Sequence, residues 1–275
     1  MPLLRFTKMQ GAGNDFIFIN ALKGRCGLNR QQIRQLCHRQ LGVGADQILI
    51  LQRSRKADFK MKIFNPDGSE AEMCGNGLRA LTRYVNERKI STKKTLTVET
   101  KKGVHEAQIL SKNRIRVDMG PPFLKGQEIP VNLRGRIINR PFKIEGREFR
   151  ITCVSIGNPH CVIFVDNLAH CPVTTYGPLI ENHSIFPKRT NVEFVEIHNK
   201  NHVTARVWER GAGETLACGS GACAINVAGV LNGFTERKLT VKLKGGTLEL
   251  EWNRDSNHIF MTGPAQITFE GEIKV

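Results

Sequence analysis

The sequence predicts an α+β protein made of two similar halves. Two observations carry that expectation. Short strand-like segments alternating apolar and polar residues recur along the whole chain with few helical stretches between them, and one set of landmarks occurs twice.

The 275 residues include 41 Lys+Arg against 25 Asp+Glu, a formal charge of +16, with 40% hydrophobic residues, 26 Gly and 11 Pro. That balance excludes a disordered tail, a collagen-like fibre and a low-complexity chain. The length suits one large domain or two of roughly 130 residues, each with its own core. Uncharged apolar runs fall well short of the ~18 residues that span a bilayer. Met1 to Arg5 does not open like a secretory leader, so a cytoplasmic globule without a membrane partner is expected. Basic residues are scattered, with Lys93-Lys94 and Lys101-Lys102 the densest pairs, and aromatics are only 7%. Nucleic acid is therefore not the expected partner, and solvated faces account for most of the charge. A basic RNA- or DNA-binding scaffold is the reading from a different class; its affinity would fall steeply with salt.

Taken in order, Asn29 with Gln32 three residues on forms a capping-box start for a helix ending near Gly42. Strands are expected at Phe59–Phe64, Thr95–Thr100, Val104–Leu110 and Ile115–Met119, with a helix over Leu78–Arg88 between the first two. Pro121, Pro122 and Pro130 mark a linker. Strands follow at Phe149–Ser155, Cys161–Val165, Val192–Ile197 and Val203–Trp208. A nearly all-apolar helix over Ala222–Leu231 precedes strands at Leu239–Lys244, Thr247–Trp252 and Ile259–Met261. The last eleven residues, Ala265 to Val275, follow the second unit and are free to return to the first sheet. The expected halves are thus 1–119 plus 265–275, and 120–264.

Met73-Cys74-Gly75-Asn76-Gly77-Leu78 repeats as Ala217-Cys218-Gly219-Ser220-Gly221-Ala222, 144 positions later. The register extends upstream onto polar residues: Asn14 falls with Asn158, Gln47 with Asn191, and Asn65 with Glu209. Packing alone preserves apolar residues, whereas amides and a carboxylate here hold register too. That pattern points to two half-sites serving one ligand.

Eight cysteines stand at 26, 37, 74, 153, 161, 171, 218 and 223, with no Cys-x-x-Cys, so neither a zinc ribbon nor a metal site is expected. Most read as small buried hydrophobes. Cys74 and Cys218 differ because each precedes a helix, whose unpaired N–H groups favour thiolate. The glycines let a ligand carboxylate approach the backbone donors of Gly75, Asn76, Gly219 and Ser220. One thiolate and one thiol acting on a single carbon could remove a proton from one face and return one to the other. The fixed N–H dipoles would stabilise the carbanion's charge. A single Cys-Gly-x-Gly reads equally as a strand-to-helix turn with a buried thiol; the doubling favours chemistry. His160 reads either as a packed histidine or as a group behind a thiol. Arg210 reads either as a surface partner of Glu209 or as a carboxylate-binding fork in a glycine-flanked turn.

Several strings resemble the diaminopimelate epimerase family over essentially the whole chain. They are Gly13-Asn14-Asp15-Phe16, Gly44-Ala45-Asp46-Gln47, Asn65-Pro66-Asp67-Gly68-Ser69-Glu70, Cys74-Gly75-Asn76-Gly77, Gly157-Asn158-Pro159-His160, Glu209-Arg210-Gly211-Ala212-Gly213-Glu214-Thr215 and Ala217-Cys218-Gly219-Ser220-Gly221. The resemblance implies two pseudo-symmetric halves, each a mostly antiparallel, barrel-like sheet around a central helix, with the active site in the cleft between them. It implies interconversion of LL- and meso-diaminopimelate for lysine and peptidoglycan precursors, without pyridoxal phosphate or metal, in a homodimer. Carried onto this chain, it makes Cys74 and Cys218 the acid/base pair and His160 and Glu209 the groups polarising the thiols. Gly75, Asn76, Gly219 and Ser220 hold the reacting α-carboxylate. Asn14, Asn65, Asn158, Asn191 and Arg210 hold the distal end, with Gln47 and Glu209 positioning the reacting end. Proline racemases and hydroxyproline epimerases are the nearest competitors, since they also use two cysteines. Their pattern has His where Asn76 stands and lacks the Glu209–Thr215 string. The +16 charge follows from neither family.

Overall fold

A computed structural model describes residues 3–24, 26–111 and 113–275. The chain forms two compact units, one of residues 1–118 with 262–275 and one of residues 119–261.

The first unit runs β1 (Leu3–Gly11), β2 (Asn14–Asn20), α1 (Arg30–Cys37), β3 (Gln47–Gln52), β4 (Phe59–Phe64), β5 (Glu70–Ala71), α2 (Gly75–Glu87), β6 (Thr95–Thr100), β7 (Gly103–Ser111) and β8 (Arg114–Asp118). The second runs β9 (Arg140–Ile144), β10 (Arg147–Ser155), β11 (Pro159–Phe164), α3 (Val173–Glu181), β12 (Asn191–Asn199), β13 (His202–Glu209), β14 (Gly213–Thr215), α4 (Gly219–Leu231), β15 (Lys238–Leu243), β16 (Gly246–Trp252) and β17 (Ile259–Gly263). The last strand, β18 (Gln266–Lys274), pairs antiparallel with β1, so the C-terminal residues do return to the first sheet.

Both units share one pairing pattern. In the first, neighbours run β18-β1-β2-β3-β4-β6-β7, antiparallel except for β2–β3 and β4–β6. In the second they run β9-β10-β11-β12-β13-β15-β16, antiparallel except for β11–β12 and β13–β15. Two parallel steps at corresponding places are a topological signature of duplication. Each sheet curls round its own helix. The buried residues of α2 run without a break from Gly75 to Val85, and the helix packs on β1, β2, β3, β4, β7 and β8. Helix α4 is almost wholly apolar, with Asn226 buried along it, and packs on β10, β11, β12, β15 and β16. A helix enclosed by sheet has little solvent-facing side, so the polar residues of α2, among them Asn76, Arg79 and Thr82, are buried with it. No helix among the described residues is long and apolar enough to cross a membrane.

The expected strands appear within a residue or two of their predicted bounds. A two-residue turn, Ala12 (φ 55°) and Gly13 (φ 87°), joins β1 to β2 in the left-handed conformation that matches hairpin twist. Helix α1 has the full Asn29/Gln32 capping box but ends at Cys37, five residues before Gly42. The chain folds back there, and a Cβ on Gly42 would sit 1.9 Å from the Gln35 carbonyl oxygen, so the turn requires glycine. The proline-rich stretch is not a linker. Phe123 bridges Ser155, and Ile129 and Val131 are buried in the second unit's core, so the prolines shape a packed edge segment. Helix α3 was hidden by Pro172, Gly177 and Pro178, which read as loop residues; Gly177 is the close contact that lets α3 lie on Trp208.

Candidate active site

In the first unit, Cys74 is the N-cap of α2, in extended backbone (φ −144°, ψ 110°), and its Sγ accepts the Gly77 N–H at 3.3 Å. The second unit repeats this: Cys218 caps α4 (φ −120°, ψ 113°) and accepts the Gly221 N–H at 3.4 Å. Sulfur here takes the place that a Ser or Asp oxygen takes at an ordinary helix start. The N–H groups at the next two positions, Gly75 and Asn76 or Gly219 and Ser220, have no intrahelical acceptor and remain available to an anion.

The amides predicted for the first half-site come together in two pairs. Asn14 begins β2; its Oδ1 accepts from Asn76 Nδ2 at 3.2 Å and stands 3.9 Å from Cys74 Sγ. Its own Nδ2 donates to Asp46 at 2.8 Å, which fixes the orientation of the amide. Gln47 begins β3 and donates from Nε2 to Asn65 Oδ1 at 3.0 Å, while Asn65 donates to Ser69 at 3.0 Å. The buried Gln47 Oε1 has no hydrogen-bond partner among the described residues.

Beside Cys218, Asn158 donates from Nδ2 to Ser220 Oγ at 3.2 Å, and Ser220 Oγ lies 3.5 Å from Cys218 Sγ. His160 is fully buried, its Nε2 3.1 Å from Asn158 Oδ1 and its Nδ1 2.7 Å from Glu193. The ring therefore meets the thiol through Asn158 and Ser220, whereas Glu209 acts on the Cys218 thiol directly. Thr215 donates to the same carboxylate. Burial raises the Glu209 carboxyl above its ordinary value, against the pull of these two donors.

Burial pushes the Cys218 thiol well up, and the carboxylates of Glu209 and Glu193 add to that; the Ser220 hydroxyl and Gly221 N–H pull it down and do not prevail. The pull toward thiolate that the sequence assigns to both helix starts is thus opposed at Cys218. Desolvation of a sulfur that is 5% exposed outweighs the helix-end dipole, so Cys218 rests as the thiol.

Asn191 and Arg210 share a turn. Asn191 Nδ2 donates to the Pro159 carbonyl at 2.8 Å, and its Oδ1 accepts the Arg210 N–H at 3.0 Å. The Asn191 amide is thus engaged with backbone and sets the turn, while the Arg210 side chain is exposed and touches the Lys188 carbonyl at 3.0 Å.

Sequence reasoning missed three carboxylates that hold these groups. Asp46 orients Asn14. Glu181 accepts from Trp208 Nε1 and from Gly211 N–H, bracing the turn after β13. Glu193 pairs with His160. The available signal for Glu193 was an acidic residue inside the apolar run of β12.

The sequence pattern of diaminopimelate epimerase matches residues 6–125 and 152–268. The chain belongs to the diaminopimelate epimerase family. The family relative from Acetivibrio thermocellus is 48% identical, aligned over 98% of each chain. Another, from Methanococcus maripaludis, is 46% identical over 99% of this chain and 100% of the relative. Both are diaminopimelate epimerases by name, and the chain is an isomerase of the same kind. Among solved structures, a phenazine biosynthesis protein of the PhzF family from Bacillus anthracis superposes with a TM-score of 0.73 at 19% identity, covering 100% of both chains. A hydroxyproline epimerase from Agrobacterium vitis gives 0.72 at 14% identity, covering 99% of this chain and 91% of that one. At these identities the likeness is one of fold, so the proline-racemase alternative remains a distant structural relation.

Proposed function

We propose that this family member interconverts LL- and meso-diaminopimelate through two thiols, Cys74 and Cys218, that act on opposite faces of one α-carbon. The observation that carries the reading is the doubled cap: two cysteines in register, each accepting the third N–H of its own helix and each followed by two N–H groups with no acceptor among the described residues.

Because Cys218 rests protonated, Cys74 is read as the first base, acting once its own thiol proton has left. Its sulfur takes the α-proton as the C–H bond breaks, and the electron pair delocalises into the α-carboxylate. The Cys218 thiol then delivers its proton to the other face and is left as thiolate. Proton count and charge balance, and the reverse reaction exchanges the two roles. The free N–H groups of Gly75, Asn76, Gly219 and Ser220 hold the carboxylate as its charge grows, each such donor contributing on the order of 3 kcal/mol. Glu209 holds the Cys218 proton until transfer. Asn14, Asn65, Asn158, Asn191 and Arg210 would hold the substrate's distal end, with Gln47 beside the reacting end; of these, the exposed Arg210 fork is the group suited to a second carboxylate.

No pyridoxal phosphate is needed in this scheme, since the thiols move the protons and the helix ends stabilise the carbanion. We read the enzyme as a homodimer in the cytoplasm, where reducing conditions suit a chain with eight cysteines. The test is to supply LL-diaminopimelate and separate the stereoisomers formed. Meso product from the wild type, none from Cys74→Ala or Cys218→Ala with native-like circular dichroism, is expected. Near-full turnover by either variant refutes the assignment.

A further inference from the structure

The Asn14 amide is held at both ends. Its Nδ2 donates to Asp46 Oδ2 at 2.8 Å; the same oxygen accepts the Asp15 N–H at 3.1 Å, and Asp46 Oδ1 accepts from Arg39 Nη2 at 2.6 Å. A carboxylate engaged by three N–H donors has no hydrogen to offer, so it can face only the NH2 end of an amide. The carbonyl end is therefore turned the other way, where Asn14 Oδ1 accepts from Asn76 Nδ2 at 3.2 Å and lies 3.9 Å from Cys74 Sγ. Reversing the amide would set two acceptors against each other at Asp46 and two NH2 groups against each other at Asn76.

Backbone packing keeps this pair against the cap. Asn14 opens β2 opposite Gly11, and a Cβ on Gly11 would lie 3.7 Å from the Asn76 carbonyl oxygen and 3.3 Å from Arg79 Nη2. The turn between β1 and β2 thus rests on the first turn of α2 with no side chain of residue 11 between them. Asn76 is buried there, and its own Oδ1 has no partner among the described residues. The charged groups around this turn are Lys8 on β1, Asp15 on β2, Arg39 after α1, Asp46 before β3 and Arg79 on α2.

A carbonyl oxygen facing sulfur can accept from S–H but opposes S⁻, whereas an NH2 group in the same place would favour S⁻. We infer that Asp46 is a positioning residue for Cys74: by holding the Asn14 amide with its oxygen toward the sulfur, it disfavours the thiolate and keeps Cys74 the stronger base once its proton has left. This rests on the reading of Cys74 as a proton-transferring group.

Two substitutions separate orientation from charge. Asp46→Asn removes the charge but keeps an oxygen for the Asn14 NH2 and the Asp15 N–H, so the amide stays as it is. Asp46→Ala removes the acceptor. Asn14 and Asn76 can then turn together, keeping the hydrogen bond between them and bringing an NH2 to the sulfur. Iodoacetamide labelling of Cys74 as a function of pH, read by mass spectrometry, should shift down by roughly one pH unit in Asp46→Ala, a tenfold change in ionisation. It should stay in place in Asp46→Asn. In an Asn14→Ala background, Asp46→Ala should move it no further. The acid limb of kcat/KM should also move to lower pH in Asp46→Ala and its plateau should fall, since a weaker base removes a weakly acidic proton more slowly. A merely structural loss would lower the plateau and leave the limb in place. Equal shifts in both variants would assign the effect to bare charge and overturn the inference, as would no shift, or a shift to higher pH, in Asp46→Ala. If Asp46→Ala does not fold, proton NOEs in the wild type decide. The Asn14 NH2 and the Asp15 N–H point at one oxygen, so an NOE between them supports the inference. An NOE from that NH2 to the Cys74 β-protons in its place refutes it. Full turnover by Cys74→Ala would instead overturn the functional reading, whereas an inactive Cys74→Ala with unmoved labelling in Asp46→Ala overturns only this inference.

Discussion

Replacing Glu181 by alanine should loosen the turn that carries Glu209 and Arg210. Glu181 ends α3, is 4% exposed, and accepts from Trp208 Nε1 at 2.7 Å, Gly211 N–H at 2.9 Å and Arg189 Nη1 at 3.1 Å. Leaving a buried donor unpaired costs about 1–3 kcal/mol. Trp208 and Gly211 lie near enough to the surface for water to recover part of that cost, so their joint loss should fall near the low end, about 2 kcal/mol. Arg189, with its side chain 53% exposed, adds ~0–1 kcal/mol. Glu181→Gln, which keeps the volume and one acceptor oxygen, should lose roughly half as much. Urea unfolding with an unchanged slope measures the loss, and exchange of the Gly211 amide reports whether it is local. Because Arg210 is read as a binding group, KM should rise more than kcat falls. Glu181→Ala with unchanged stability and unchanged Gly211 exchange would refute the reasoning.

Three further outcomes are expected. Burial alone would raise the Asp15 carboxyl, but hydrogen bonds from Arg39 and Lys8 bring it from 3.8 down to about 2. Its contribution of about 2 kcal/mol is full above the unfolded-state value and is lost as pH falls through the folded one, so Asp15→Asn should be less stable at pH 7, with the difference from wild type mostly gone near pH 2 in acid unfolding. Gly177→Ala would put a Cβ 2.6 Å from Trp208 Cγ; overpacking of about 1–3 kcal/mol should exceed the helix-propensity gain of about 1 kcal/mol, and a raised melting temperature would contradict the close contact. With its acidity suppressed by burial and by Glu209, Cys218 should react with iodoacetamide at pH 8 more slowly than a free cysteine, and faster in Glu209→Gln; a slower reaction in that variant would remove Glu209 from the thiol.

Strands such as β4 and β6 were readable because one face is buried and the other is not, which leaves a strict alternation in the residues. Strands β2 and β3 were not: Phe16–Ile19 and Ile48–Leu51 are buried on both faces, and an unbroken apolar run has no period to separate strand from helix. Helix α3 was masked because Gly177 serves packing and Pro178 stands inside the helix, where neither residue type is expected. The two caps and the amides in register with them could be read because duplication marked them twice. Asp46, Glu181 and Glu193 touch other protein groups rather than standing in a repeated motif, and only coordinates reveal what they hold. Which of the two cysteines rests as the thiol was not legible for a related reason. Helix polarity is visible in a sequence; the two carboxylates that close over the sulfur are contributed by β12 and β13.

The most direct test of two thiols serving one carbon is the distribution of solvent deuterium at low conversion in heavy water, starting from LL-diaminopimelate. Separate bases predict an α-deuteron in essentially every meso product molecule while unreacted substrate keeps its original hydrogen. Product that retains the substrate's own α-hydrogen would mean that a single base carries the proton from one face to the other, and would contradict the account.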